Sequence, residues 1–208
     1  MFILRIFALL MSLAVHSLSA ELYNLARVKD AVQEYYEGDG YKQDLDKIVK
    51  VVCAQFAQPA LHNKQVIIFD VDEVALSMYN WFKERDFGMT SEFYYPGLRV
   101  KHFPAVPQIK VLYDYFKNLG YTIIFLTGRY DEVYESTRIN LIAEGYTEFE
   151  YLITRSSEED LPVGVFKELA RLKLVEQGYE IMCCIDDNSS CLQGKHVGYT
   201  VKIPNYLY

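Results

Sequence analysis

Val66-Ile67-Ile68-Phe69-Asp70-Val71-Asp72-Glu73-Val74 joins an unbroken apolar run to two aspartates one residue apart. A run this short and uniformly apolar reads as a buried strand, so the acids sit where the strand ends. Side chains alternate along a strand, but the chain turns as it leaves the sheet. Two acids separated by one residue can therefore converge on one metal ion and one substrate phosphate. One carboxylate can attack phosphorus while the other handles the leaving-group proton. Taken alone, the pair reads equally well as solvated acids capping the next helix.

Two later stretches repeat the arrangement. Thr122-Ile123-Ile124-Phe125-Leu126 runs into Thr127-Gly128-Arg129, and Ile181-Met182-Cys183-Cys184-Ile185 runs into Asp186-Asp187. Between them, Phe166-Lys167 opens a helical stretch to Glu176 and supplies a cation for a phosphate or for the attacking carboxylate. Taken singly, Thr127-Gly128-Arg129 is an ordinary strand-to-helix turn and Lys167 a surface lysine. Polar groups at three strand ends, with a lysine between, argue for one site.

In the order aspartate pair, Thr, Lys, aspartate pair, these residues resemble the four motifs of the haloacid dehalogenase (HAD) superfamily. The resemblance narrows to its acid phosphatase subfamily, with the bacterial class B and class C enzymes and the plant vegetative storage proteins. Asn24 to Lys29 and Tyr35 to Tyr41 look like that subfamily's lead-in. Phe166-Lys167 with Arg171, Leu174 and Gly178-Tyr179 looks like its third motif, and Lys202-Ile203-Pro204-Asn205 with Tyr208 like its C-terminal end. Two positions depart from the pattern: Val74 stands where the subfamily commonly has Thr, and the fourth motif reads Asp186, Asp187 and Cys191.

The resemblance implies a Mg²⁺-dependent acid phosphatase acting on small phosphomonoesters through an aspartyl-phosphate, with nucleoside monophosphates as a candidate class. It makes Asp70 the nucleophile, Asp72 the acid and base, and Lys167 the neutralising cation. Thr127, with Gly128, receives the phosphoryl oxygens, and Arg129 either contacts substrate or anchors its loop. Mg²⁺ falls to Asp70, the backbone carbonyl of Asp72 and Asp187, with Asp186 as outer partner in place of the acid replaced by Cys191. The alternatives are a catalytically weak storage or binding protein on the same fold, and a dehalogenase, which would need neither Mg²⁺ nor Asp72.

Strand and helix patterns alternate along the chain, which predicts an α/β fold: a mostly parallel five-stranded sheet between helical layers, the Rossmann-like three-layer sandwich of the HAD group. Leu25, Val28, Val32 and Tyr35, then Leu45, Ile48, Val52 and Phe56, predict two helices on the core, joined by a turn at Gly38-Asp39-Gly40. Ile109, Leu112, Phe116 and Leu119 predict another, closed by Gly120, and Asp131 is expected to cap a helix reaching Gly145. Residues 75–106 are rich in aromatic side chains without a clean period. They read as an insertion overhanging the strand ends, able to stack a leaving group and exclude water or simply to build a hydrophobic flap.

With 208 residues and no linker, repeat or low-complexity run, the chain after residue 20 reads as one domain. Its net charge of −7 argues against a nucleic-acid polymer as partner. Arg5, the apolar run from Ile6 to Val15 and Ser17-Leu18-Ser19-Ala20 read as a signal peptide over residues 1–20. Its apolar part is shorter than the roughly 20 residues of a spanning helix, and no Cys near the cleavage site could carry lipid. A soluble periplasmic or secreted protein without stable membrane insertion is expected, with homo-oligomerisation left open. Cys53, Cys183, Cys184 and Cys191 read as small buried residues, and His62, His102 and His196 lack metal-ligand spacing.

Overall fold

The computed structural model describes residues 24–158 and 161–208, so the signal peptide expected over residues 1–20 lies outside the described residues. The elements are α1 (Leu25–Glu37), α2 (Asp39–Gln55), β1 (Gln65–Phe69), α3 (Tyr79–Lys83), α4 (Ser91–Val100), α5 (Pro107–Asn118), β2 (Thr122–Tyr130), α6 (Tyr134–Ala143), β3 (Tyr151–Arg155), α7 (Val163–Glu176), β4 (Glu180–Asp186) and β5 (Tyr199–Lys202). The strands form one sheet in the order β3-β2-β1-β4-β5, and every pairing is parallel.

Alternation along each strand sends its side chains to two different cores. Ile67, Phe69, Ile123, Phe125, Cys183 and Ile185 pack on the face covered by α2 and α5, while Val66, Ile68, Ile124, Leu126 and Cys184 pack toward Ala170 and Leu174 of α7. Both faces are covered, which is why β1 is apolar at nearly every position. Cys183 and Cys184 fall on opposite faces as expected, and all four cysteines are free.

Four details differ from the sequence reading. The linker between the first helices shrinks to Gly38, because α2 already begins at Asp39. α1 has no buried residue, and Leu25 and Val28 are exposed. Only its later turns meet the core, through Val32 and Tyr36, the latter stacked on Tyr79 at 4.7 Å. Asp131 caps no helix: it lies in a 3-10 turn, α6 begins at Tyr134 without a side-chain cap, and the Asp131 carboxylate accepts the Ser157 N–H.

The fourth difference matters for the site. β2 does not stop at Leu126 but continues through Thr127-Gly128-Arg129 to Tyr130. Its register with β3 slips there: Leu126 faces Ile153, but Tyr130 faces Arg155. A bulge of this kind re-aims side chains at the end of a strand. The insertion after β1 is closed at its base by an antiparallel bridge between Leu76 and Ala105. Its helices α3 and α4 bury Trp81, Phe82 and Leu98.

Candidate active site

Asp70 is the first residue beyond β1, and its N–H donates to the Ile185 carbonyl of β4 at 2.9 Å. That bond draws the ends of β1 and β4 together. It thereby brings Asp70 to Asp186 and Asp187, and one oxygen from each of the three carboxylates lies within 4.8 Å of the others. Lys167, on the second turn of α7, lies between two of them, its Nζ 3.0 Å from Asp70 and 2.6 Å from Asp186. All four side chains are almost fully buried.

The charges do not balance. Burial pushes the Asp70 carboxyl well above the ordinary aspartate range; Lys167 pulls it back in part, while Asp186, Asp187 and Asp72 add to the rise. Asp187 is raised to about 6, again mainly by burial, against the amide of Asn205 that donates to it. Burial alone would lower the Lys167 pKa, but Asp70 and Asp186 outweigh it and raise it. One lysine among several buried acids leaves excess negative charge. An all-oxygen donor set carrying such an excess suits a hard divalent cation.

Beyond Asp70 the chain turns back at Glu73, whose φ of 52° is left-handed and uncommon outside glycine. The Glu73 carboxyl is buried and accepts the Met78 N–H. Burial raises its pKa to about 8, with Asp72 and Asp187 adding to the effect. The turn aims Asp72 away from the acid cluster and toward Arg129, which donates to it through Nε and Nη2. Tyr94 of α4 reaches the same carboxylate from above, its hydroxyl 3.3 Å from Oδ2.

The residues expected to form a site thus assemble at one end of the sheet, but in different capacities. Asp70, Asp72, Gly128, Lys167 and Asp187 line a cavity of about 410 Å³. Thr127 is fully buried, and its Oγ1 accepts the Arg129 N–H at 3.2 Å. Arg129 does not line the cavity. Its guanidinium is spent on Asp72 and on Thr137, whose Oγ1 it meets at 3.0 Å, so it anchors and does not reach outward. Gly128 leaves little room: a Cβ there would stand 3.0 Å from Val163, the residue that opens α7.

Cys191, the position that departs from the pattern, also lines the cavity. Burial pushes its thiol up to about 11, which keeps it neutral near pH 7 and a poor nucleophile or ligand. Arg171 secures the surrounding loop by donating to the carbonyls of Cys191, Gln193 and Lys195. The outer wall comes from the insertion and the chain end: Phe82, Met89, Tyr94, Tyr95 and Tyr208. Sequence reasoning missed Arg155, which joins this wall from the end of β3. It belongs to no motif, and only the sheet order brings it near Gly128.

Comparison with known proteins shows the family and the fold. The family model described as HAD superfamily, subfamily IIIB (acid phosphatase), matches residues 6–208. The chain is 32% identical to the stem 28 kDa glycoprotein of Glycine max over 186 residues, covering 86% of this chain and 73% of that protein. It is 28% identical to acid phosphatase 1 of Solanum lycopersicum, covering 86% and 73% respectively. The crystal structure of the class C acid phosphatase from Bacillus anthracis with tungstate bound superposes with a TM-score of 0.67, covering 88% of this chain and 86% of that one at 17% identity; it has the same fold. The chain belongs to subfamily IIIB of the HAD superfamily, the acid phosphatases, and is by class a phosphomonoesterase.

Proposed function

We propose that this protein hydrolyses small phosphomonoesters by way of a phosphorylated Asp70. The observation that carries the reading is the Lys167 ammonium between Asp70 and Asp186 at the floor of an aromatic-walled cavity. A carboxylate oxygen of Asp70 attacks phosphorus, and the bond to the ester oxygen breaks. Asp72, standing clear of the acid cluster, gives that oxygen a proton. Water then attacks phosphorus, Asp72 takes up its proton, and the bond to Asp70 breaks to release inorganic phosphate. Positioned proton transfer of this kind typically contributes about 10²- to 10⁴-fold.

Thr127 keeps its hydroxyl proton, since Oγ1 accepts from Arg129, and can donate it to a phosphoryl oxygen beside the bare backbone of Gly128. Lys167 offsets charge between nucleophile and phosphate. Arg129 holds Asp72 in place. The donor set fits Mg²⁺, which Asp70, Asp187 and the backbone carbonyl of Asp72 would hold, with Asp186 beside Lys167; bound there, it would offset negative charge on the phosphoryl oxygens. A storage or binding protein on this scaffold has no physical need of a buried Asp70–Lys167 pair.

The rings of Tyr94, Tyr95, Phe82 and Tyr208 favour esters with a flat leaving group, nucleoside monophosphates among them. Arg5, the apolar run from Ile6 to Val15 and Ser17 to Ala20 support export, and no helix among the described residues is long and apolar enough to cross a membrane. An intact mass from the native host should place the mature N-terminus between about residues 18 and 21. The deciding assay is hydrolysis of an aryl phosphate by the purified protein, with Mg²⁺ and with chelator, beside Asp70→Asn. Metal-dependent turnover in the wild type and none in the variant is expected. Wild-type-like turnover in Asp70→Asn would sink the covalent route.

A further inference from the structure

Two cations line the cavity, Lys167 and Arg155, and their situations differ. Lys167 is committed to Asp70 and Asp186. Arg155 pairs with no carboxylate among the described residues. It is nevertheless held in place: Nη1 donates to the Leu161 carbonyl at 2.9 Å, and the guanidinium lies 4.2 Å from the centre of the Tyr130 ring. Its Nε–H is shielded from water and has no described acceptor. An orphaned buried donor is costly, and the cost is relieved when an acceptor arrives. The Nε and Nη2 hydrogens form the edge of a guanidinium that takes an oxyanion through two parallel bonds.

The position of this edge defines what it can read. Arg155 ends β3, which is separated from β1 and Asp70 by β2, so it starts about two strand spacings, roughly 10 Å, to the side of the nucleophile. Its anchors hold it on that side. Tyr95, stacked on Tyr130 at 5.1 Å, stands next to it on the cavity wall. A group meeting Arg155 is therefore not the transferred phosphoryl but something carried by the leaving group.

We propose that Arg155 is a specificity residue that binds a second anionic group, a carboxylate or a second phosphate, on the leaving-group side of the ester. The inference rests on the phosphatase reading of the same cavity and narrows it: the preferred substrates are phosphomonoesters of alcohols or phenols that are themselves acids. Within the cavity, Arg155 is the cation with no carboxylate partner among the described residues, so against an overall charge of −7 it is where the second anionic group of such an ester gains most.

The test uses non-hydrolysable probes. Benzylphosphonate, para-carboxybenzylphosphonate and para-xylylene bisphosphonate are titrated calorimetrically, with Mg²⁺ present, into the full protein and into Arg155→Gln and Arg155→Lys. The wild type should bind at least one of the two doubly anionic probes about tenfold more tightly than benzylphosphonate. Which of the two it favours tells carboxylate from phosphate. The ratio should fall to near one in Arg155→Gln and be partly kept in Arg155→Lys; partial unfolding lowers all affinities together and leaves the ratio unmoved. Equal affinities in the wild type, or a ratio that survives Arg155→Gln, would overturn the proposal. A wild type that shows the preference yet hydrolyses neither phenyl phosphate nor its para-carboxy counterpart keeps the anion subsite and overturns the phosphatase reading alone.

Discussion

Arg129 donates to both carboxylate oxygens of Asp72, through Nε at 3.0 and 3.2 Å and through Nη2 at 2.6 Å, with both side chains buried. The pair ties the end of β2 to the turn after β1, at the stretch where the register of β2 with β3 slips. Breaking such a pair from one side strands a buried charge, at a typical cost of about 3–5 kcal/mol. Arg129→Met should lose stability on that scale in urea unfolding, and the double variant Arg129→Met/Asp72→Asn should recover part of it. Turnover in Arg129→Met should fall more for alkyl than for aryl phosphates, because a poor leaving group depends most on a well-placed proton donor. Equal losses for both would remove Asp72 from that role.

The acid cluster predicts an order of damage. Asp187 is a direct ligand in the proposed metal site, whereas Asp186 already accepts Lys167 and the Asn188 N–H, and Cys191 is a neutral thiol. Activity measured against Mg²⁺ concentration should show Asp187→Asn severely weakened. Asp186→Asn should be intermediate, on the order of the 10- to 100-fold typical of outer-shell partners, and Cys191→Ser nearly silent. A silent Asp186→Asn beside a severe Cys191→Ser would reverse these assignments.

Gly97 lets α4 lie against α3. A Cβ added there would stand 2.1 Å from the Trp81 ring, which is buried and also stacks with Tyr94. Gly97→Ala should therefore cost about 1–3 kcal/mol, the usual range for overpacking, and displace the tyrosine that touches Asp72. The check is a joint fall in Tm and rise in KM for an aryl phosphate. A lower Tm with KM unchanged would show that the insertion packs independently of substrate.

Glu144 supplies a pH dependence remote from the acid cluster. Its carboxylate accepts the Ala105 N–H and meets His102, each at 2.6 Å, and so fastens the returning end of the insertion to α6. Burial would raise its pKa, but the Ala105 N–H and His102 outweigh burial and leave it lowered. A lowered folded pKa means stability that is present above the unfolded glutamate value, about 4.3, and lost as pH falls through the folded one. Glu144→Gln should thus melt below wild type at pH 7, with the gap closing at acid pH. A gap that stays constant to pH 3 would show that charge plays no part.

The strands, the order of the motifs and the acids at the strand ends were legible in the sequence, because a strand buried on both faces must be apolar throughout. The first polar residue after such a run therefore marks the end that carries the site, and Asp70, Thr127 and Asp186 all follow such runs, Asp70 just beyond β1 and the other two still within β2 and β4. Lys167 was legible for a related reason, coming early in a helix that returns to the same end of the sheet. Those features follow from local pattern. The partner of the Arg129 guanidinium, Asp72, lies on a different strand end that local pattern does not join to it, and the exposure of Leu25 and Val28 depends on how much of α1 finds something to cover it. Arg155 belongs to no motif, and its place in the cavity comes from the β3-β2-β1 order, which sets remote residues side by side. Sequence determined which polar groups follow the apolar runs; tertiary structure decided which of them line the cavity and which face one another, because the sheet order and the turns set partners in space, not along the chain.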